Sequence, residues 1–301
     1  MAVKTVQAVI NGQTHTLTYN ATTKKYEATV TAPSTSSYNQ NGHYYNVQIK
    51  ATDEAGNSVS KDATDTTLGS SLKLRVKEKV APVISITAPS SSAKLTNNKP
   101  VIKWTVTDSD SGVDPSTIKL IIDSQTITTG ITKTASGKNY TCSYTPTTAL
   151  SDGSHTIKIS ASDYDGNAAA QKSITFTVDT VPPELSVTAP IDNLVTNQAS
   201  IEVKGTTNDV TSSPVTLTIK LNNGTAQTVE VGSDGSLSKT LTLVSGENTI
   251  VITATDGAGK TSTVTKQVEL DQTAPVIQSV TITPNPVNAG ATYTISVEVT
   301  D

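Results

Sequence analysis

The sequence predicts an all-β protein made of small β-sandwiches in series. Three observations predict it: the composition, a strand-and-turn segment that recurs, and a proline linker that recurs at domain-sized intervals. Threonine supplies 54 of the 301 residues. It is β-branched, so it favours strands and is disfavoured in helices. Only 11 residues are aromatic, so several small cores fit better than one large core. Hydrophobic residues are 35% and charged residues 16%, against about 45–50% apolar (counting Gly) and about 25% charged in ordinary globular domains.

The recurring segment comes first. It reads Tyr45-Asn46-Val47-Gln48-Ile49-Lys50-Ala51-Thr52-Asp53-Glu54-Ala55-Gly56-Asn57, returns as His155-Thr156-Ile157-Lys158-Ile159-Ser160-Ala161-Ser162-Asp163-Tyr164-Asp165-Gly166-Asn167, and returns again from Asn248 through Lys260. Each copy alternates apolar and polar residues, the period of a strand. Each then closes on Asp-x-x-Gly, which is turn chemistry.

The linker is the second element. An acidic residue precedes a proline by four positions at Glu78 and Pro82, at Asp179 and Pro183, and at Asp271 and Pro275. The prolines are 101 and 92 residues apart, about the size of one small β-sandwich. Alternating strands end before each acid and begin after each proline. Four segments follow: an N-terminal domain over 1–79, domains over 80–180 and 181–271, and the start of a further one over 272–301. That last segment stops after two strands' worth of chain, so the natural chain is expected to continue.

Inside the domains, Ile102, Trp104 and Val106 share one strand face, and Ile118, Leu120 and Ile122 another. Tyr140, Cys142 and Tyr144 share a third. Tyr26 through Val30 align with Tyr140 through Tyr144, and Tyr26, Tyr140 and Leu237 take equivalent core positions. Cys142 then sits where Ala28 sits, as a small buried side chain.

These motifs resemble bacterial immunoglobulin-like (Big-type) tandem repeats. The carriers are Asp108-x-x-x-Gly112-Val113-Asp114 before Thr117-Ile118-x-Leu120, the Ala-x-Asp-x-x-Gly turns, and the acid-x-x-x-Pro linkers. The resemblance covers 80–271 and the start of a further copy. Residues 1–79 match in two strands but lack the opening proline-led strand. Met1 through Tyr45 is also similar to the start of Ig-like tail-associated proteins in prophages of Gram-positive gut bacteria. The resemblance implies tandem immunoglobulin-like β-sandwiches in a linear array. It departs from antibody domains, because there is no disulfide pair and Trp104 precedes the Gly112 loop.

Several function classes are excluded or disfavoured. The net charge is −4, which leaves no basic excess to displace phosphate counterions, so nucleic acid is not an expected partner. Cys142 is the single cysteine, so no intrachain disulfide and no cysteine-rich zinc site can form. There is no apolar run long enough to span a membrane, so membrane insertion is not expected. No nucleophile elbow, zinc-protease helix or phosphate loop is present, so no enzyme is expected in this part of the chain. The N-terminus lacks a signal peptide's apolar segment.

In an Ig sandwich the loops after the second and sixth strands share one tip. There the second domain carries Asp108, Asp110, Asp114, Asp163 and Asp165, and Glu78 arrives from the linker. Oxygen ligands on converging loops suit calcium, which takes about 6–8 of them. The third-domain counterpart is Asp179, Asn208, Asp209 and Asp256. The same acids also fit Asx turns and solvated loops. No cofactor is required, and calcium is the one candidate. The stretch from Tyr38 to Tyr45 is dense in aromatics. Tyr38, His43 and Tyr44 suit contact with a sugar ring or a partner protein, and equally simple loop packing.

The resulting expectation is a non-catalytic structural or adhesive stalk of a phage virion or phage-tail-like particle. Its partners would be other virion or surface proteins and host cell-envelope glycan, and its location the virion. The alternative is a Gram-positive cell-surface adhesin on the bacterial surface. The third is the accessory Ig-like region of a secreted glycoside hydrolase.

Overall fold

Period-two alternation builds nearly every element of this chain. The computed structural model describes residues 2–301. Among these, the helical segments are three short 3-10 turns, Ser37–Asn39, Asn41–His43 and Gly69–Leu72. Among the described residues, no helix is long and apolar enough to cross a membrane. The chain divides into two compact units, one ending at Val178 and one spanning Asp179–Asp301.

The first unit begins with β1 (Val3–Ile10), β2 (Gln13–Asn20), β3 (Lys25–Glu27), β4 (Tyr45–Asp53), β5 (Ser58–Lys61) and β6 (Lys73–Leu74). Asn11 and Gly12 turn β1 into β2 with φ of 46° and 75°, the left-handed pair that a two-residue hairpin needs. The six strands form one sheet, ordered β3-β2-β1-β4-β5, with β6 also on β4. The second sheet of the sandwich expected over 1–79 is absent among the described residues. This segment lacks the proline-led opening strand, which in the later modules founds that second sheet. Its buried apolar residues are few: Ala8, Tyr45, Ala63 and Leu72. With no opposing sheet, Tyr26 is only half-buried and Ala28 is exposed. The expected equivalence of Ala28 with Cys142 therefore fails.

The second module comprises β7 (Val83–Ala88), β8 (Lys94–Leu95), β9 (Ile102–Thr107), β10 (Val113–Ile122), β11 (Gln125–Ile127), β12 (Thr132–Ser136), β13 (Asn139–Tyr144), β14 (Gly153–Asp163) and β15 (Lys172–Val178). It is a two-sheet sandwich, β11-β10-β14-β15-β8 over β12-β13-β9-β7. Ile102, Trp104 and Val106 of β9 pack with Leu120, Ile157, Ile159 and Phe176 of the other sheet. Burying each such aliphatic or aromatic side chain is worth about 1.5–3 kcal/mol. Cys142 pairs across from Trp104 in register and is buried.

The second unit repeats the plan. Its strands are β16 (Glu184–Ala189), β17 (Leu194–Thr196), β18 (Ser200–Asn208), β19 (Thr216–Leu221), β20 (Gln227–Val229), β21 (Ser236–Thr242), β22 (Gly246–Thr255) and β23 (Thr261–Leu270). The sheets are β16-β18-β21 and β17-β23-β22-β19-β20. Val203, Leu217, Ile219, Leu237, Ile250 and Ile252 fill the core. In both sandwiches a short strand adds in parallel to the last one, β8 on β15 and β17 on β23. After them come β24 (Val276–Thr283) and β25 (Thr294–Thr300), a two-stranded hairpin with exposed apolar side chains.

Candidate acidic sites at the sandwich tips

Three acids of the first unit meet at one tip. Glu78 comes from the linker before β7, Asp108 follows β9, and Asp163 ends β14. Each offers a carboxylate oxygen, and these oxygens lie within 4.8 Å of one another. Twice a calcium–oxygen distance of about 2.4 Å is the same length. Two like charges so placed repel by about 3.5 kcal/mol at an effective dielectric constant of 20.

The hydrogen bonds show how each acid is held. Asp108 Oδ1 accepts from the amides of Asp110 at 3.0 Å and Gly112 at 2.6 Å. Its Oδ2 is buried with no hydrogen-bond partner, in a residue only 7% exposed. Asp163 accepts from the Asn167 amide and from its side-chain nitrogen, both at 2.7 Å. Glu78 accepts from the Ser111 hydroxyl at 3.1 Å and the Val80 amide at 2.8 Å. Burial pushes the Glu78 carboxyl above its usual range. Hydrogen bonds from Val80 and Ser111 act against that shift, and the Asp108 charge adds to it.

The second unit carries the same arrangement. Asp179 stands before β16, Asp209 follows β18 and Asp256 follows β22. One oxygen from each again lies within 4.8 Å of the others. The three positions match those of the first cluster one for one, and both linker acids precede their proline by four residues. Asp179 accepts from the Ser212 hydroxyl and from the Val181 amide at 3.2 Å. Asp209 Oδ1 accepts from the Thr211 and Ser212 amides at 2.9 and 2.5 Å. Asp256 Oδ1 accepts from the Ala258 and Lys260 amides at 2.8 and 2.9 Å. No ion pair among the described residues includes a carboxylate of either cluster. The donor set in both is oxygen only, the chemistry of a hard divalent cation.

Residues 79–180 match the model of the bacterial Ig-like domain family. Residues 183–272 match that of domain B of glucodextranase. Residues 79–180 thus carry a bacterial Ig-like module, and a second β-sandwich follows it. Bacillopeptidase F of Bacillus subtilis (strain 168) is 34% identical over 128 residues, which is 42% of this chain and 8% of that protein. The chain thus spans a small fraction of that relative. Among solved structures, a three-domain Ig fragment of titin aligns over 89% of this chain and 88% of its own, at 12% identity and a TM-score of 0.44. The fibronectin(III)-like modules of CbhA from Clostridium thermocellum align over 63% of this chain and 94% of their own, at 17% identity and a TM-score of 0.38.

The remaining acids of the Ig-like modules lie outside the clusters. Asp110 faces the first module, where its carboxylate accepts from the Ser36 amide at 2.9 Å and from the Asn39 side chain. Lys138 donates to Asn39 and to the Asp110 carbonyl. Asp165 Oδ2 accepts from the Glu78 amide at 2.9 Å, and Lys77 donates to the Asp165 carbonyl. Asp114 caps its own turn through Ser116. Asn208 is exposed at the end of β18. So of six expected acids at the first tip, three converge, two clasp neighbouring chain and one makes an Asx turn.

The tyrosine loop is also drawn inward. The Tyr38 ring stacks on Tyr164 of the second module and lies 4.6 Å from His43. Tyr44 carries the Lys73 ammonium 4.9 Å from its ring centroid. Asn139, Ser111 and Ser212 support the tips without having been singled out in the sequence. Asn139 accepts from the Asp108 amide. Nothing periodic marks a lone hydroxyl or amide as a neighbour of a carboxylate.

Proposed function

We propose that the chain is a non-catalytic Ig-like stalk, a spacer that holds another module or surface at a set distance. Calcium held by Glu78, Asp108 and Asp163 would stiffen its first junction. The observation that carries the reading is the junction itself. Asp110 reaches from the second module to the Ser36 amide of the first, and the Glu78 amide between them is held by Asp165. A linker clasped by side chains of the second module, beside a direct bond from that module to the first, suits a part that transmits position. The orphaned Asp108 oxygen beside two other acids supports the cation.

Among the contexts open to such a stalk, the matches to domain B of glucodextranase and to bacillopeptidase F favour the accessory region of a larger hydrolase. They favour it over a virion stalk or a surface adhesin. Limited trypsin digestion of the full chain tests the stalk. Cleavage after Lys77 and Lys79 should be slow, slower still in 2 mM calcium than in chelator, and that difference should vanish in Asp108→Asn. Rapid cleavage in both buffers would mean a hinge. The chain alone should release nothing from casein or dextran, and turnover of either would end the non-catalytic reading.

A further inference from the structure

We infer that Asp179, Asp209 and Asp256 form a calcium site at the tip of the third module. The inference does not depend on the first cluster, because every ligand named lies in the second unit. Asp179 is fully buried and Asp256 is 6% exposed. Three carboxylates brought within 4.8 Å with no ion pair to any of them leave net charge in a desolvated place. Buried charge is kept only when it is paired or ligates a metal.

Asp256 supplies the second, separate observation. Its Oδ1 is occupied by the Ala258 and Lys260 amides of the turn. Its Oδ2 is buried and has no hydrogen-bond partner. A turn-capping aspartate needs only one oxygen, and the other would ordinarily face water. Here it is shut in with two further carboxylates. A buried acceptor without a donor calls for a cation or an unseen donor. The three-acid charge and the absence of histidine and cysteine from the group favour a hard ion. The 4.8 Å span suits calcium better than magnesium, whose ligands stand about 2.0–2.1 Å away.

The site also has a structural consequence. Asp179 lies on the incoming linker, Asp209 on the loop after β18 and Asp256 on the turn after β22. One ion would tie all three, where the backbone already joins only the last two, through the Gly257 amide on the Ser212 carbonyl at 2.7 Å. The Ser212 amide and hydroxyl already bridge Asp209 to Asp179, so the loop is positioned before any ion arrives.

The test is calorimetric titration of calcium into the full chain carrying Asp108→Asn, which disables the first cluster. One equivalent should bind. Adding Asp256→Asn should weaken binding at least tenfold, and Asp209→Asn should do the same independently. Asparagine keeps Oδ1 for the turn amides, and circular dichroism checks that each variant is folded. No binding to the Asp108→Asn chain would overturn the site. So would binding that survives both second-unit substitutions together. Magnesium binding as tightly as calcium would overturn the choice of ion. A wild-type chain that loses one equivalent on Asp256→Asn and none on Asp108→Asn would support this site while removing calcium from the first junction.

Discussion

Tyr38 of the first module lies face to face with Tyr164 of the second, with ring centroids 5.0 Å apart and planes 15° from parallel. A loop that the sequence leaves open between partner contact and simple packing is thus engaged within its own chain. Stacked aromatic pairs add about 0.5–1.5 kcal/mol beyond the area they bury. Tyr38→Ala and Tyr164→Ala, alone and together, should show coupling of that size in a double-mutant cycle. Trp104 is the one tryptophan, so its fluorescence follows unfolding of the second module. Strictly additive effects would show that the rings lie together without holding the modules together.

A pH-dependent contact sits at the opposite end of the same sandwich. His155 is buried, its Nδ1 2.9 Å from Asp123 Oδ2 and its Nε2 2.8 Å from the Ser151 carbonyl. Both ring nitrogens face acceptors, so both are placed to donate. Burial acts to raise the Asp123 carboxyl, but hydrogen bonds from His155 and the Thr156 amide, with the His155 charge, hold it below its ordinary 3.8. A depressed acid contributes stability above its unfolded value and loses it as pH falls through the folded one. The second module should therefore weaken as pH drops below about 4, and Asp123→Asn should flatten that part of the profile. Asp123 is about half exposed, so the effect should stay near 0.2–1 kcal/mol. An unchanged acid limb in Asp123→Asn would show that other carboxylates govern it.

Strands β9, β10, β14, β18, β19 and β22 were legible because alternation marks a buried face directly, and Trp104, Leu120, Ile159, Val203, Leu217 and Ile250 on those faces are buried. The linker acids Glu78 and Asp179 were legible from their fixed distance to proline. The fate of Asp110, Asp114 and Asp165 was not, because a loop carboxylate is equally suited to a cation, an amide of another segment or its own turn. Only the fold decides which donor arrives first. The single sheet of the first module escaped alternation for another reason. A period of two shows that a face is apolar, and it does not show whether a second sheet exists to cover it.

Close backbone approach gives a further expectation in the second unit. A Cβ on Gly205 would lie 2.1 Å from the Ser186 carbonyl oxygen and 3.1 Å from Val187 Cα, both on the adjoining strand β16. Neither is the end of a flexible side chain, so the β16–β18 pairing itself must give way. Gly205→Ala should cost at least about 1–3 kcal/mol, the range for overpacking. Gly246→Ala, with φ of 85° and open space around it, carries only backbone strain of about 1 kcal/mol. Thermal unfolding followed by circular dichroism should rank them in that order. Equal losses would mean that β16 shifts without cost.

Cys142 tests the packing of the second core most directly. It is 1% exposed and lies across from Trp104 on the neighbouring strand. Burial pushes its thiol from 9.0 to about 11, with the Lys133 charge pulling weakly the other way. The thiolate is the reactive form, so the folded chain should resist an aromatic disulfide reagent at pH 8. Labelling should then follow the opening of the module, with the same denaturant midpoint as the Trp104 fluorescence. The thiol's contribution to stability is fully present below pH 9.0 and is lost as pH rises toward 11, because the unfolded chain ionises first. Cys142→Ala should remove that alkaline loss, at a small cost in volume. Cys142→Ser should be the worse substitution, by about 1–3 kcal/mol, since it buries a hydroxyl among apolar neighbours. Rapid labelling of the native chain would mean that the β9–β13 face opens locally, and serine would then be tolerated as well as alanine.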